Sequence, residues 1–155
     1  MARLWLDTSV FTVALQNHEH SDACRELLSA VEQGTVQAVV DPVVLCELAY
    51  MLVKPTFVPP HMPARTPREV AEFLISLAGW SGLAIVERDI VVSALQSWQR
   101  GQSDDLVDAY LHARAAASGD VVCTVNRRHF PGSTHPRDVA AGSPDPRRRR
   151  GQAQR

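Results

Sequence analysis

Acidic side chains are concentrated at a few points of this chain, next to apolar residues. A position on the solvated surface does not by itself account for them. Residues 103–111 read SDDLVDAYL, which places three aspartates within five positions. Asp104 and Asp105 can cap or start a helix, because acids in a first helical turn interact favourably with the helix dipole. Asp108 has apolar residues on both sides in the sequence. A carboxylate in such surroundings is desolvated unless a cation meets it, so this stretch predicts a cation-binding role.

Three further segments carry oxygen ligands in comparable places. Asp7 follows an apolar run, Glu47 lies in the first turns of a predicted helix, and Asn126 follows another apolar run by two residues. In an open α/β sheet, the functional site lies outside the carboxyl ends of the strands. Carboxylates gathered there repel one another, and a hard divalent cation relieves that repulsion. The sequence therefore predicts a site for Mg²⁺, with Mn²⁺ as a substitute.

Short apolar runs alternate with segments of helical periodicity. The predicted strands are Leu4–Leu6, Val36–Val40, Leu83–Val86 and Val121–Thr124, with a final short strand near Val139. The predicted helices are Thr8–Leu15, Ser21–Gln33, 42–53, Pro67–Ala78, Ile90–Gln99 capped by Asp89, and a last helix that runs to Ser118. This alternation predicts an α/β fold with a central parallel sheet of four to five strands flanked by helices.

Length and charge indicate one folded domain with a separate tail. The 155 residues include 45% hydrophobic and 21% charged side chains, which is typical of a soluble domain. We expect the domain to span residues 1–141 and the Arg-rich segment 142–155 to be disordered. The net charge of −1 includes four consecutive arginines in that tail, so the domain itself is acidic. Its charge is not that of a conventional DNA-binding domain.

Cysteine usage and hydropathy suggest a cytoplasmic protein. Cys24, Cys46 and Cys123 are an odd number of widely spaced cysteines among apolar neighbours, which predicts reduced thiols in the core. Asp7 interrupts the N-terminal apolar run, so we expect no signal peptide. No apolar run is long enough to span a membrane, so no membrane partner is expected.

Four motifs in order resemble those of a known enzyme family. The stretches LWLDTSVF, CELAY, VDAYLHARA and CTVNRRHF, within residues 3–130, resemble the PIN-domain nucleases and most closely the VapC-type toxins of type II toxin–antitoxin systems. The resemblance implies a PIN-like fold. It also implies a growth-inhibiting, Mg²⁺-dependent endoribonuclease that hydrolyses phosphodiester bonds of single-stranded or loop RNA. A homodimer and a cognate antitoxin are the implied protein partners.

The resemblance also assigns roles to individual residues. It implies that Asp7, Glu47 and Asp108 are catalytic and bind the metal, and that Asn126 stands at the position of a fourth catalytic acid. An amide oxygen can bind a metal ion but adds no negative charge, so a second ion is expected to bind more weakly. The substrate-binding residues are expected to be Ser9, Thr124, Arg127 and Arg128.

Two alternatives remain open at this point. The first is a non-catalytic or weakened PIN domain that binds RNA or a partner protein, and the substitution of Asn126 for an acid supports it. The second is an RNA-maturation nuclease that has no antitoxin. The intact set of Asp7, Glu47 and Asp108 favours a nuclease over the non-catalytic alternative.

Overall fold

The fold is an α/β structure built on a short parallel sheet. A computed structural model describes residues 3–54, 65–125, 127–128, 130 and 132–140. The described strands are β1 (Leu4–Trp5), β2 (Ala38–Val40) and β3 (Leu83–Ile85), and their order in the sheet is β1-β2-β3. Both pairings are parallel, with Leu4 opposite Ala38 and Val39 opposite Ala84. The predicted α/β class with helices around a parallel sheet is therefore confirmed.

Helices connect the strands and bury the sheet. The described helices are α1 (Thr8–Ala14), α2 (Ser21–Glu32), α3 (Pro42–Val53), α4 (Pro67–Leu77), α5 (Arg88–Gln99), α6 (Leu106–Ala117) and α7 (Pro136–Ala140). The largest fully buried side chains include Leu45 and Leu48 of α3, Leu74 and Leu77 of α4, and Leu95 of α5. All three residues of β2 are buried, as expected for a central strand that is covered on both faces.

Side-chain caps determine where several helices begin. Asp7, Asp41 and Asp105 precede α1, α3 and α6, and each carboxylate accepts a hydrogen bond from a backbone N–H of the first turn. Thr66 caps α4 as part of a capping box with Glu69. Such caps typically contribute about 0.5–2 kcal/mol each. Asp7 and Asp41 also lie just after β1 and β2. Each of them therefore stands in the short connection between a strand and the helix that it caps.

The C-terminal part of the domain differs from the sequence-based expectation. Residues 121–124 form no strand, and a single bridge joins Cys123 to Thr134. Cys123 is exposed and Val121, Val122 and Thr124 are only half-buried, so this run is not the buried strand that its composition predicted. The strand expected near Val139 is wrong: α7 occupies Pro136–Ala140, because proline is well tolerated at the first position of a helix. Val139 is 59% exposed and adds nothing to the core.

Smaller differences concern a cap and a cysteine. Glu87, not Asp89, is the residue before α5, and Asp89 lies in the first helical turn. In the described residues the three cysteines carry free thiols, as predicted, but none is fully buried: Cys24 and Cys46 are half-buried and Cys123 is exposed. The loop 55–64 and the tail from residue 141 lie outside the described residues. In the part of the chain that is described, no helix is long and apolar enough to cross a membrane.

Candidate functional site

Asp7 presents an ionised carboxylate to solvent at the carboxyl end of β1. Its Oδ2 atom accepts hydrogen bonds from the Ser9 hydroxyl at 2.7 Å and from the Ser9 backbone N–H at 3.2 Å. These bonds, the hydroxyl first, hold the pKa of Asp7 below its ordinary value. Ser9, which was expected to bind substrate, therefore orients Asp7 and keeps it charged.

A hydrogen bond joins the first predicted acid segment to the second. Thr8, which is 5% exposed, donates from Oγ1 to Oε2 of Glu47 at 2.6 Å. Thr8 is the first residue of α1 and Glu47 lies in α3, so the bond spans 39 positions of sequence. Glu47 is itself exposed. The structure therefore places Asp7 and Glu47 on adjoining turns at the same edge of the sheet.

Asp108 lies in the first turn of α6 and is half-buried. Its backbone N–H donates to Oδ1 of Asp105 at 2.8 Å, so Asp105 is the cap, as predicted, and Asp108 is the acid that the cap positions. Helices α3 and α6 contact each other. Asp108 is therefore on an element that packs directly against the helix of Glu47.

The thiol of Cys46 is partly buried beside two carboxylates. Burial, followed by the charges of Asp105 and Asp41, raises the pKa of Cys46 from 9.0 to about 11. Charges influence a titrating group only over short distances in a protein, so the N-terminal ends of α3 and α6 face a common region beside Cys46.

The donor chemistry fits a hydrated divalent cation. Asp7, Glu47 and Asp108 offer only oxygen ligands, which hard cations prefer. Within the described residues, however, no group of three or more His, Cys, Asp or Glu side chains lies close enough together to enclose a metal ion. Mg²⁺ usually keeps several waters and takes only one or two carboxylates directly. The ligand atoms of these acids therefore match a hydrated ion in kind, while the described side chains are not gathered into a metal-holding group.

Two acids at the sheet edge were missed by sequence reasoning. Asp41 follows β2 directly, and the rule that identified Asp7 after β1 identifies it as well. Glu87 follows β3 and has a φ of 54°, a left-handed conformation that is uncommon outside glycine. Glu87 forms an ion pair with Arg114 and accepts a hydrogen bond from the Tyr110 hydroxyl at 2.5 Å. Glu87 is therefore engaged in holding α6 against the sheet.

The remaining predicted residues lie in the irregular segment after α6. The Thr124 backbone N–H donates to the Thr134 carbonyl at 2.9 Å, and Arg127 donates from Nη2 to the Ser133 carbonyl at 3.4 Å. Arg127 and Arg128 are exposed. Asn126 lies outside the described residues. The predicted fourth position of the site is therefore not described, although its two basic neighbours are on the surface.

Comparison with protein-family models decides the family. A model described as the PIN domain matches residues 3–128. The chain belongs to the PIN-domain family. PIN domains are generally nucleases, and PIN-domain nucleases generally use divalent metal ions, which agrees with the oxygen-rich sheet edge. No curated protein matches the chain closely enough to count as a relative.

Membership of the PIN-domain family relates the acidic edge of the sheet to nuclease chemistry in general. The match covers β1 with Asp7, the α3 helix with Glu47, and the α6 helix with Asp108. It confirms the resemblance at the level of the PIN domain. Nuclease chemistry on a phosphodiester needs charge stabilisation and an activated water, and ionised carboxylates that hold a divalent ion can provide both.

Proposed function

We propose that this PIN domain is a Mg²⁺-dependent endoribonuclease that hydrolyses phosphodiester bonds of single-stranded or loop RNA. We further propose that it acts in the cytoplasm, as a homodimer, as a growth-inhibiting VapC-type toxin neutralised by a cognate antitoxin. The hydrogen bond between Thr8 and Glu47 is the observation that best supports the nuclease proposal. It holds the second acid beside the first, as shared metal binding requires.

The chain's own residues prepare the site in three ways. Ser9 keeps Asp7 ionised and fixes its orientation. Thr8 fixes the Glu47 carboxylate. Asp105 caps α6 and thereby positions Asp108. When bound, Mg²⁺ lowers the pKa of a coordinated water and stabilises negative charge on the phosphate.

Basic side chains supply attraction for the RNA backbone. Arg127 and Arg128 are exposed in the segment that follows α6. Neutralising phosphates with arginine releases counterions, so RNA affinity is expected to fall as salt concentration rises. This contribution does not depend on base sequence, and any sequence preference must come from contacts to bases.

Cleavage of a mixed single-stranded RNA pool tests the nuclease proposal. Wild-type protein and Asp108→Asn are incubated with Mg²⁺, Mn²⁺ or EDTA, and the products are separated by size. The expected result is cleavage with either metal, none with EDTA, and a loss of more than about 100-fold in the variant, because a lost ligand should cost at least as much as a lost outer-shell partner. Cleavage that survives both EDTA and the substitution contradicts the proposal.

Growth measurements test the toxin role separately. Expression of the wild type is expected to arrest growth, whereas expression of Asp108→Asn at the same level is not. Co-expression of a small protein encoded beside the gene is expected to restore growth and to co-purify with the nuclease. Normal growth with an active nuclease contradicts the toxin role and favours an RNA-maturation enzyme.

The non-catalytic alternative is supported by Asn126 in place of an acid and by the lack of a closed ligand cage among the described residues. It predicts RNA binding that is equal in Mg²⁺ and in EDTA and is unchanged by Asp108→Asn. It also predicts that no metal supports cleavage by folded, antitoxin-free protein. Filter binding and the cleavage assay above distinguish the two candidates.

A further inference from the structure

The first turns of α3 and α6 present two carboxylates at one surface. Asp41 caps α3 and Asp105 caps α6, and Oδ1 of each accepts the cap hydrogen bond, at 2.9 Å and 2.8 Å. From the residues that the structure describes, Oδ2 of each accepts no hydrogen bond, and neither side chain forms an ion pair. The two helices contact each other, and both carboxylates act on the thiol of Cys46. Both helix starts therefore belong to one acidic surface.

An exposed valine accompanies each of these carboxylates. Val43 is 68% exposed and Val107 is 54% exposed, and each lies two residues after the capping aspartate. Val107 and Asp105 also line the same cavity. An apolar side chain beside a carboxylate matches arginine, whose aliphatic stem covers apolar surface while its guanidinium binds the carboxylate. We call Asp41, Val43, Asp105 and Val107 the cap surface.

The cap surface attracts cations although it lies at helix starts. The N-terminal end of a helix carries about half a positive charge, whereas each ionised carboxylate carries a full negative charge. In the described part of the chain, no group of three or more acidic, histidine or cysteine side chains could hold a metal ion. Several separate cationic side chains therefore suit this surface better than one small ion, because each can meet a carboxylate of its own.

The chain itself contains such a set of cations in the four consecutive arginines 147–150. Residues 142–155 include five of the 16 Lys and Arg residues and one of the 17 Asp and Glu residues. This segment therefore has a formal charge of +4, and residues 1–141 have a formal charge of −5. Because the segment is tethered to the domain, its effective concentration at the domain surface is high.

The length of chain before the arginine run permits a contact with the domain surface. The structure describes the chain as far as Ala140, and Arg147 follows seven residues later. Extended segments of seven to ten residues span up to about 23–33 Å. A compact domain of this size has a radius of gyration of about 14 Å. The arginine run can therefore reach most sides of its own domain.

We propose that the arginine run 147–150 docks on the cap surface of its own chain. Guanidiniums that pair with Asp41 and Asp105 are not available to RNA phosphates. Docking and RNA binding therefore compete for the same arginines, and docking lowers the affinity of the chain for RNA. The choice of RNA as the competing ligand rests on the proposed function, whereas the docking itself does not.

Trypsin cleavage within the arginine run 147–150 tests docking without catalysis, with intact-mass measurement of the full chain. The variant Asp41→Asn/Asp105→Asn neutralises the cap surface, and asparagine remains a good helix cap. The matched control Asp22→Asn/Asp89→Asn removes the same charge from exposed acids that already have arginine partners. At low salt, the run is expected to be cut about tenfold faster in the cap-surface variant than in the wild type or the control, because cleavage follows the undocked fraction. The difference is expected to vanish at about 0.5 M NaCl.

Binding of a fluorescein-labelled oligouridine in EDTA, followed by anisotropy, tests the competition with RNA. The cap-surface variant is expected to bind the RNA at least about threefold more tightly than the matched control, because its arginines are no longer paired with the domain. Replacement of all four arginines 147–150 by glutamine in both double variants is expected to abolish that difference. Circular dichroism confirms that each variant is folded.

The outcomes separate this inference from the nuclease proposal. Equal trypsin cleavage in all three proteins overturns docking, even if metal-dependent RNA cleavage is observed. Equally fast trypsin cleavage in both double variants also overturns it, because total charge and not the cap surface then controls the tail. If glutamine replacement weakens RNA binding equally in both double variants, the arginines serve RNA alone and the competition is overturned. Protection that only Asp41→Asn/Asp105→Asn removes, in a protein that cleaves no RNA, supports docking while contradicting the nuclease.

Discussion

Asp7 and Glu87 occupy equivalent places in the sheet, each two residues after a parallel strand, yet their surroundings are opposite. Asp7 has an extended backbone, is exposed, and accepts hydrogen bonds from its neighbour Ser9. Among the described residues it forms no ion pair. Glu87 has a left-handed backbone and is tied to α6 through Arg114 and Tyr110.

The difference separates an acid that can bind a ligand from an acid that builds the fold. The charge of Glu87 is compensated by a guanidinium from the same chain. The charge of Asp7 is maintained by hydrogen bonds from neutral groups, so it is available to an external cation. Position at the sheet edge alone therefore does not define the site; the partners of each carboxylate do.

Asp7→Asn should produce the largest functional effect. Asparagine remains a good helix cap, so the free energy of unfolding is expected to change by only a few tenths of a kcal/mol. RNA cleavage is expected to fall by more than about 100-fold, because the charge that attracts the cation is lost. Urea unfolding and cleavage rates on the same preparation check this prediction. If Asp7→Asn lowered the free energy of unfolding as well as the cleavage rate, the role of Asp7 would be that of a helix cap only.

Glu87→Gln should show the reverse pattern. The ion pair with Arg114 is lost while the amide oxygen can still accept from Tyr110, so the free energy of unfolding is expected to fall by about 1–2 kcal/mol. Cleavage per folded molecule is expected to fall less than tenfold. Tyr110→Phe is the matched control that removes only the hydroxyl contact. A 100-fold loss of cleavage with unchanged stability would place Glu87 in the chemistry.

Thr8→Val tests the link between Asp7 and Glu47. Valine keeps the shape of threonine but cannot donate to Glu47, so the second acid loses its fixed orientation. Cleavage is expected to fall about tenfold, as is typical when a group that orients a metal ligand is removed. Thr8→Ser keeps the hydroxyl and should retain most of the activity. Equal activity of the two variants contradicts a role for this bond.

The reactivity of Cys46, which burial and then nearby carboxylates lower, is the smallest expected effect. Because its pKa is raised to about 11, Cys46 remains a neutral thiol at pH 9, whereas an unperturbed thiol is half ionised there. Alkylation of Cys46 is therefore expected to be at least tenfold slower than that of the exposed Cys123 at pH 9, and to accelerate up to about pH 11. Mass spectrometry of pulse-labelled protein measures both rates. Equal rates contradict the raised pKa of Cys46, of which burial is the main cause.

Sequence patterns predicted the helices and caps that depend on interactions between residues close in sequence. The cap at Asp105 and the positions of α3 and α6 follow from residues close in sequence, and the structure confirms them. Glu87 was missed because its partners are long-range: Tyr110 is 23 positions away. The fourth strand was predicted from apolar composition alone. Strand formation also needs a pairing neighbour, and among the described residues Cys123 forms a single bridge, to Thr134.

For the candidate site, the hydrogen bond from Thr8 to Glu47 supports only the neighbourhood of Asp7 and Glu47, and the approach of Asp108 to them stays a prediction. The alternation of strands and helices indicated that Asp7, Glu47 and Asp108 would approach one edge of the sheet. Their hydrogen bonds to Thr8, Ser9 and Asp105 were not predictable, because they depend on side-chain orientation. Asp41 carries the same local signal as Asp7, a position just after a parallel strand, but the sequence analysis did not select it.

The most direct test of the central claim is a Mg²⁺ titration of RNA cleavage by the wild type and by Asp7→Asn. The claim is that an uncompensated carboxylate at the end of β1 binds the catalytic cation. It predicts saturable activation of the wild type, and at least a tenfold higher Mg²⁺ requirement together with a lower maximal rate for the variant. Identical Mg²⁺ dependence of the two proteins, or cleavage that persists in EDTA, would contradict it.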